Sequence, residues 1–132
     1  MKLIKLSVFV FAVLFAACSS EKGSEELFNE VRGFHDEVMP YMSSLYQSEK
    51  KVKGMIADLD STAVAEKQEL EGKLESLVGA QESMSQWMRE FKQVYNEEMP
   101  EAEKVKVLEE QLVKVKAMHV EFKAAIKISE EL

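Results

Sequence analysis

From residue 24 onward, mostly apolar residues, interrupted by Ser48, Lys67, Gln81 and His119, recur at alternating steps of four and three. The first run is Leu27, Val31, Phe34, Val38, Tyr41, Leu45, Ser48, Val52, Met55 and Leu59. A second is Ala63, Lys67, Leu70, Leu74, Leu77, Gln81, Met84, Met88, Phe91 and Tyr95. A third is Val105, Leu108, Leu112, Val115, His119, Phe122 and Ile126. Each run lays one apolar stripe along a helix of 3.6 residues per turn. Spacing sustained over this length predicts coiled-coil-like packing between helices.

The interruptions have chemical causes. Ser24 is placed to cap a first helix, with Glu25 and Glu26 beside the positive end of its dipole. Asp60, Ser61 and Thr62 break the pattern and offer caps for a second helix. Pro100 suits the start of a third, with Glu101 and Glu103 behind it. The pattern predicts helices at about 25–59, 62–98 and 101–129. Short connections turn successive helices antiparallel. The predicted fold is therefore all-α, an up-down-up three-helix bundle over residues 25–132. Pro40 falls inside the first stripe, where it lacks an N–H and its ring crowds the Asp36 carbonyl. Helix 1 is expected to kink or restart there, and a bend around the bundle explains this better than a site built near His35.

Composition agrees with this picture. Only five glycines and two prolines argue against a turn-rich β protein, and 132 residues suffice for one domain.

The first residues follow another pattern. Met1-Lys2-Leu3-Ile4-Lys5 leads into Leu6–Phe15, where Ser7 is the only polar member, and then Ala16, Ala17 and Cys18. A basic start, a short apolar run and small residues at a cleavage point make a secretory signal. The apolar run is about half of the ~20 residues needed to span a bilayer. Leu14-Phe15-Ala16-Ala17-Cys18 resembles a bacterial lipobox. That resemblance implies a signal peptide at 1–17, removed in the mature chain, and a covalent lipid on the Cys18 sulfur. Residues 18–24 then form the lipidated cysteine and a flexible tether that spans at most about 20 Å. Acyl burial contributes about 0.8 kcal/mol per CH₂, so several chains anchor the protein to a membrane. Cys18 is the only cysteine, and no intramolecular disulfide can form. Ser19 stands where enteric lipoproteins retained at the inner membrane carry Asp, and by that analogy the expected address is the outer membrane of the cell envelope.

Charge narrows the partners. Removal of Lys2 and Lys5 takes the basic count from 17 to 15 against 24 acidic residues, and the net charge from −7 to −9. Such a field repels phosphate backbones, so no nucleic-acid partner is expected.

Two body segments are chemically distinctive: His35-Asp36-Glu37-Val38-Met39-Pro40-Tyr41-Met42 and Ser83-Met84-Ser85-Gln86-Trp87-Met88. A turn near Asp60–Ser61 sets His35 opposite Gln86 and Met39 opposite Glu82. His35, Met39, Met84, Trp87 and Met88 are then expected at one level of the bundle. Thioether and imidazole donors suit Cu(I), and a tryptophan face can cover a cation. His35, Met39, Met84 and Met88 are thus candidate metal ligands, with Trp87 flanking a ligand site. The plainer reading, methionine filling core gaps with Trp87 as an anchor, is preferred, because no His-x-x-x-His spacing is present. His119 lies on the third stripe and reads as a hydrogen-bonded core histidine. Glu69–Lys73 and Glu110–Lys114 have the spacing of exposed ion pairs.

The same two segments, His35 to Pro40 and Met84 to Met88 with Trp87, resemble a group of small Bacteroidota lipoproteins often labelled "viral A-type inclusion protein". The resemblance covers most of residues 24–100. It implies envelope location and a helical fold, and it implies no activity. No phosphate loop, nucleophile elbow or cysteine pair suggests catalysis. The expected function is non-enzymatic: a membrane-anchored structural or interaction module with an envelope protein partner and no cofactor beyond the Cys18 lipid. The alternative is a lipoprotein that binds copper or a small ligand.

Overall fold

A computed structural model describes residues 22–132. The expected signal peptide at 1–17, the expected lipidation site Cys18 and the first residues of the expected tether, 19–21, lie outside the described residues. Within them the chain is helical and contains no strand. Helix α1 (Ser24–Val38) runs into a 3₁₀ turn (Met39–Tyr41), and α2 (Met42–Asp58) continues from it. Helices α3 (Val64–Val94) and α4 (Glu101–Glu130) complete a three-rod bundle whose first rod is α1 and α2 together. Among these residues, no helix is long and apolar enough to cross a membrane.

The interruption falls at Pro40, which cannot donate to the helical ladder. The peptide tightens into 3₁₀ geometry for one turn and resumes as α2. Helix α3 ends at Val94, short of the expected 98. Tyr95 is extended, and the Asn96 side chain accepts the Glu98 N–H at 2.9 Å. That local bond competes with the helical ladder, and Pro100 biases the residue before it toward extended geometry. Helix α3 also starts at Val64 instead of 62, because Asp60 Oδ1 accepts both the N–H and the hydroxyl of Thr62 in a side-chain turn.

One core runs the length of the bundle. Leu27, Val31, Val38, Leu45 and Val52 from the first rod meet Leu70, Leu77, Met84 and Trp87 of α3 and Leu108, Val115, Phe122 and Ile126 of α4. Two polar pairs interrupt it. Ser48 and Ser129 share a hydrogen bond of 2.6 Å, and the Trp87 indole N–H donates to Gln111 Oε1 at 2.9 Å. The expected Glu69–Lys73 ion pair forms at 2.7 Å, whereas Lys114 turns to Glu90 on α3, at 3.8 Å, in place of Glu110.

Ser24 was expected to cap α1 with its own side chain. Instead it is the first residue of the helix, and Gly23 precedes it without a side-chain cap. The Ser24 N–H donates to Glu101 Oε1 at 2.9 Å, and its hydroxyl donates to Glu101 Oε2 at 2.8 Å. A carboxylate from α4 therefore satisfies one of the orphan donors of α1 and sits at the positive end of its dipole. Lys22 is held as well, 2.6 Å from Glu30. The flexible tether expected through residue 24 thus gives way to fixed contacts by Lys22.

These bonds make the bundle acid-sensitive. The backbone and hydroxyl of Ser24 hold the Glu101 carboxyl below the ordinary carboxylate range. Lys123 and then His119 do the same for Glu37. A carboxyl depressed in the folded state stabilises it above the unfolded pKa and loses that contribution as pH falls through the folded value. The urea midpoint should therefore decline between about pH 5 and pH 3, near and below the ordinary carboxylate pKa. Glu101→Gln should flatten that decline, and an unchanged pH profile in the variant would exclude this clasp as a contributor.

Candidate functional site

The most apolar cavity lies between α1 and α3, against the indole of Trp87. It holds about 270 Å³ and is lined by Phe28, Val31, Arg32, His35, Trp87, Met88, Phe91 and Lys92. Helical spacing builds both walls. Phe28, Arg32 and His35 follow at steps of four and three on α1, and Trp87 and Phe91 stand one turn apart on α3. Larger depressions elsewhere have walls rich in Lys, Gln, Glu and Ser.

Trp87, Phe91 and Phe28 give the cavity an aromatic floor, and the ladder of rings continues past it to Tyr95. Trp87 and Phe91 have ring centroids 5.2 Å apart, and Phe91 and Tyr95 repeat that distance. Phe28 joins from α1 at 5.4 Å from Tyr95 and 6.3 Å from Phe91. Such offset and tilted pairs add stabilisation beyond the area they bury. Burial, and then a hydrogen bond with Glu97, push the Tyr95 phenol above its ordinary pKa. Trp87 is 6% exposed and spends its N–H on Gln111, so it presents only carbon to the cavity.

The rim is charged. Arg32 and Lys92 are both exposed and border the opening. Arg32 Nε donates to Asp36 Oδ2 at 3.0 Å, whereas Lys92 has no ion-pair partner among the described residues. A lone ammonium beside an apolar floor leaves the opening with positive charge to match.

His35 closes one end of the cavity. Its Nδ1 lies 2.9 Å from Asp36 Oδ1, its Nε2 lies 3.2 Å from Met88 Sδ, and its ring centroid is 5.9 Å from that of Trp87. An ionised carboxylate only accepts, so Nδ1 carries a proton. That bond, followed by the one from Arg32, holds Asp36 below the ordinary carboxylate range. It also fixes the ring with Nε2 against the thioether. Nε2 is then either an N–H donor to sulfur or a bare lone pair beside it. A carboxylate orienting a histidine whose other nitrogen faces a second donor matches the outer shell of many metal sites.

Three of the five clustered residues expected from the sequence meet here: His35, Trp87 and Met88. The other two stand elsewhere. Met84 is fully buried in the bundle core, and Met39 packs partly buried against that core from the 3₁₀ turn; neither lines the cavity. The reason is angular: Met84 projects about 40° from Met88 around α3 at 100° per residue and lies one turn away along it. No group of three or more His, Cys, Asp or Glu residues suited to a metal is present among the described residues.

His119 is at the bundle edge with its side chain 17% exposed, not in the core interior. Its Nε2 is 3.0 Å from Glu37 Oε2, and its ring meets the edge of Phe34 at 5.1 Å. Phe28, Arg32 and Lys92 are not singled out by the sequence pattern, and Phe91 appears there only as a member of the second stripe. Their spacing with His35 on α1 and Trp87 on α3 is the signal that identifies them.

Comparison of the chain with protein-family models, curated proteins and solved structures gives no match in any of the three.

Proposed function

We propose that this chain is a non-enzymatic, lipid-anchored binding module of the bacterial cell envelope, and that the cavity between α1 and α3 is its recognition site. One observation carries this: an apolar, aromatic-floored opening of about 270 Å³ bordered by Arg32 and by Lys92, which lacks an ion-pair partner among the described residues. An apolar cavity of roughly 150 Å³ accommodates benzene, so the space suits one aromatic ring with a short linker. The rim suits a negative charge on that linker. An aromatic side chain beside a carboxylate, on an envelope protein partner, has both parts.

The anchor follows from the sequence. Charge, apolar length, small residues and a single cysteine favour cleavage before Cys18 and lipid on its sulfur. The proposed address is the outer membrane, by analogy at Ser19. The proposed path is up-down-up with successive rods antiparallel. It is supported by the pairing of His35 with Met88 and of Glu49 with Gln81, since one partner number rises as the other falls. A bend at Pro40 is supported by the 3₁₀ turn there.

The test uses Trp87, the only tryptophan in the chain. Titration of the full chain in detergent with 4-phenylbutyrate should change its emission saturably. Lys92→Glu should weaken that binding about tenfold, the effect of placing like charge at a charged contact. Emission that drifts without saturation, or equal binding by the variant, counts against the site.

A second reading has its own support, the 3.2 Å approach of His35 Nε2 to Met88 Sδ with Asp36 behind the ring. Imidazole and thioether are donors for Cu(I). If copper binds here, Met88→Leu abolishes uptake from a competing chelator while Met84→Leu, in the core, leaves it intact. Equal uptake by both variants dismisses this reading.

A further inference from the structure

We infer that α4 pairs with α4 of a second copy of this chain, antiparallel, across a seam centred midway between Met118 and His119. Helix α4 carries two apolar faces. The first is the core face with Leu108, Val115, Phe122 and Ile126. The second holds Val113, Ala117, Val120 and Ala124, all exposed; Val113 and Val120 are 72% and 70% exposed. At 100° per residue this stripe points directly away from the core. Single exposed valines are ordinary. A contiguous stripe at steps of four, three and four has the spacing of a coiled-coil seam.

The charges specify the occupant. Glu110 continues the seam at one end and Lys127 at the other, at equal distances from the centre, and both are exposed. A two-fold axis requires that residue i meet j while j meets i. Antiparallel pairing about this centre sets Val113 against Ala124, Ala117 against Val120, and Glu110 against Lys127, twice over. Beside the seam, Lys114 of one copy faces Glu121 of the other. Two juxtapositions are unfavourable: Glu109 with Glu130, both exposed towards the ends of the pairing, and Lys116 with Lys123, which is offset within each chain because Lys116 lies 3.5 Å from Glu30 and Lys123 lies 3.1 Å from Glu37. A parallel pairing would set Glu110 on Glu110 and Lys127 on Lys127. The seam is thus complementary to itself in one direction only, and small Val and Ala side chains let the two helices approach closely. This surface is separate from the α1/α3 cavity.

Sedimentation equilibrium of the full chain in density-matched detergent, with reductant to exclude a Cys18 disulfide, tests the pairing. A dimer is expected at roughly 10–100 µM, the range of a small interface. Lys127→Glu sets like charges together and should weaken the dimer about tenfold or more. The charge swap Glu110→Lys with Lys127→Glu should restore it. Both positions are exposed, so circular dichroism should show unchanged helix content. A monomer throughout the range, undiminished association of Lys127→Glu, or a swap no stronger than the single variant would overturn the inference.

Discussion

Phe122→Ala should destabilise the bundle by about 3–5 kcal/mol, the usual cost of truncating a buried phenylalanine. Among the described residues, Phe122 is the largest side chain that is completely shielded from solvent, and it lies in the C-terminal half of α4 in the core shared by all three rods. Alanine removes the transfer energy of the ring and leaves a cavity that rigid helices cannot collapse to fill. A domain of this size commonly has a total stability of about 5–15 kcal/mol, so the change consumes a large share of it. Urea unfolding followed by circular dichroism measures this directly. Val64, 59% exposed at the start of α3 and away from both the cavity and the α4 seam, is the control. Val64→Ala alters an exposed position and should stay within about 0.5 kcal/mol of the native chain. A loss below about 1 kcal/mol at Phe122 would contradict its place in the core.

The second large effect is at Gln111, a buried polar side chain that bonds the Trp87 indole forming one wall of the proposed recognition site. Gln111 is 3% exposed, and its oxygen accepts the Trp87 N–H at 2.9 Å. Gln111→Leu keeps the volume but strands the indole donor, which costs about 1–3 kcal/mol. In a Trp87→Phe background the same substitution has no donor to strand and should be close to neutral. A double-mutant cycle therefore isolates the bond. The single variant should also shift Trp87 emission, because the indole loses its fixed partner. Equal costs of Gln111→Leu in both backgrounds would mean that the hydrogen bond does not hold Trp87 in place.

Much of this core was legible in the stripes. Leu27, Val31, Val38, Leu45, Val52, Leu70, Leu77, Met84, Leu108, Val115, Phe122 and Ile126 all lie on them and all are buried. The misreadings follow from treating each stripe as a narrow seam. A rod with two neighbours buries a wider arc, and that arc takes in Ala80, Trp87, Gln111 and Ala125. Tyr41, Met55 and Lys67 were counted on the stripes and are exposed. Tyr41 follows Pro40 at the 3₁₀ turn, where the helical phase is interrupted, and Met55 and Lys67 stand close to the α2–α3 connection, at the end of the bundle.

The candidate site was half legible. Counting residues from a turn at Asp60–Ser61 set His35 close to Met88, and they meet. Counting gives level and not angle, so Met84 was assigned to the cluster although its direction around α3 sends it into the core. The Ser24–Glu101 clasp was invisible for a different reason. Its partners are 77 residues apart, and only the docking of α4 beside α1 brings the carboxylate to the helix end.

The most direct test of the proposed recognition site is an amide and indole chemical-shift map of the isotope-labelled full chain in detergent during titration with 4-phenylbutyrate. Saturable shifts are expected only along the walls of one cavity, at Phe28, Arg32, His35, Met88, Phe91, Lys92 and the single Trp87 indole N–H, with α4 beyond Val115 unmoved. Shifts scattered over the surface, or saturable shifts that leave Trp87 and Phe91 untouched, would contradict it.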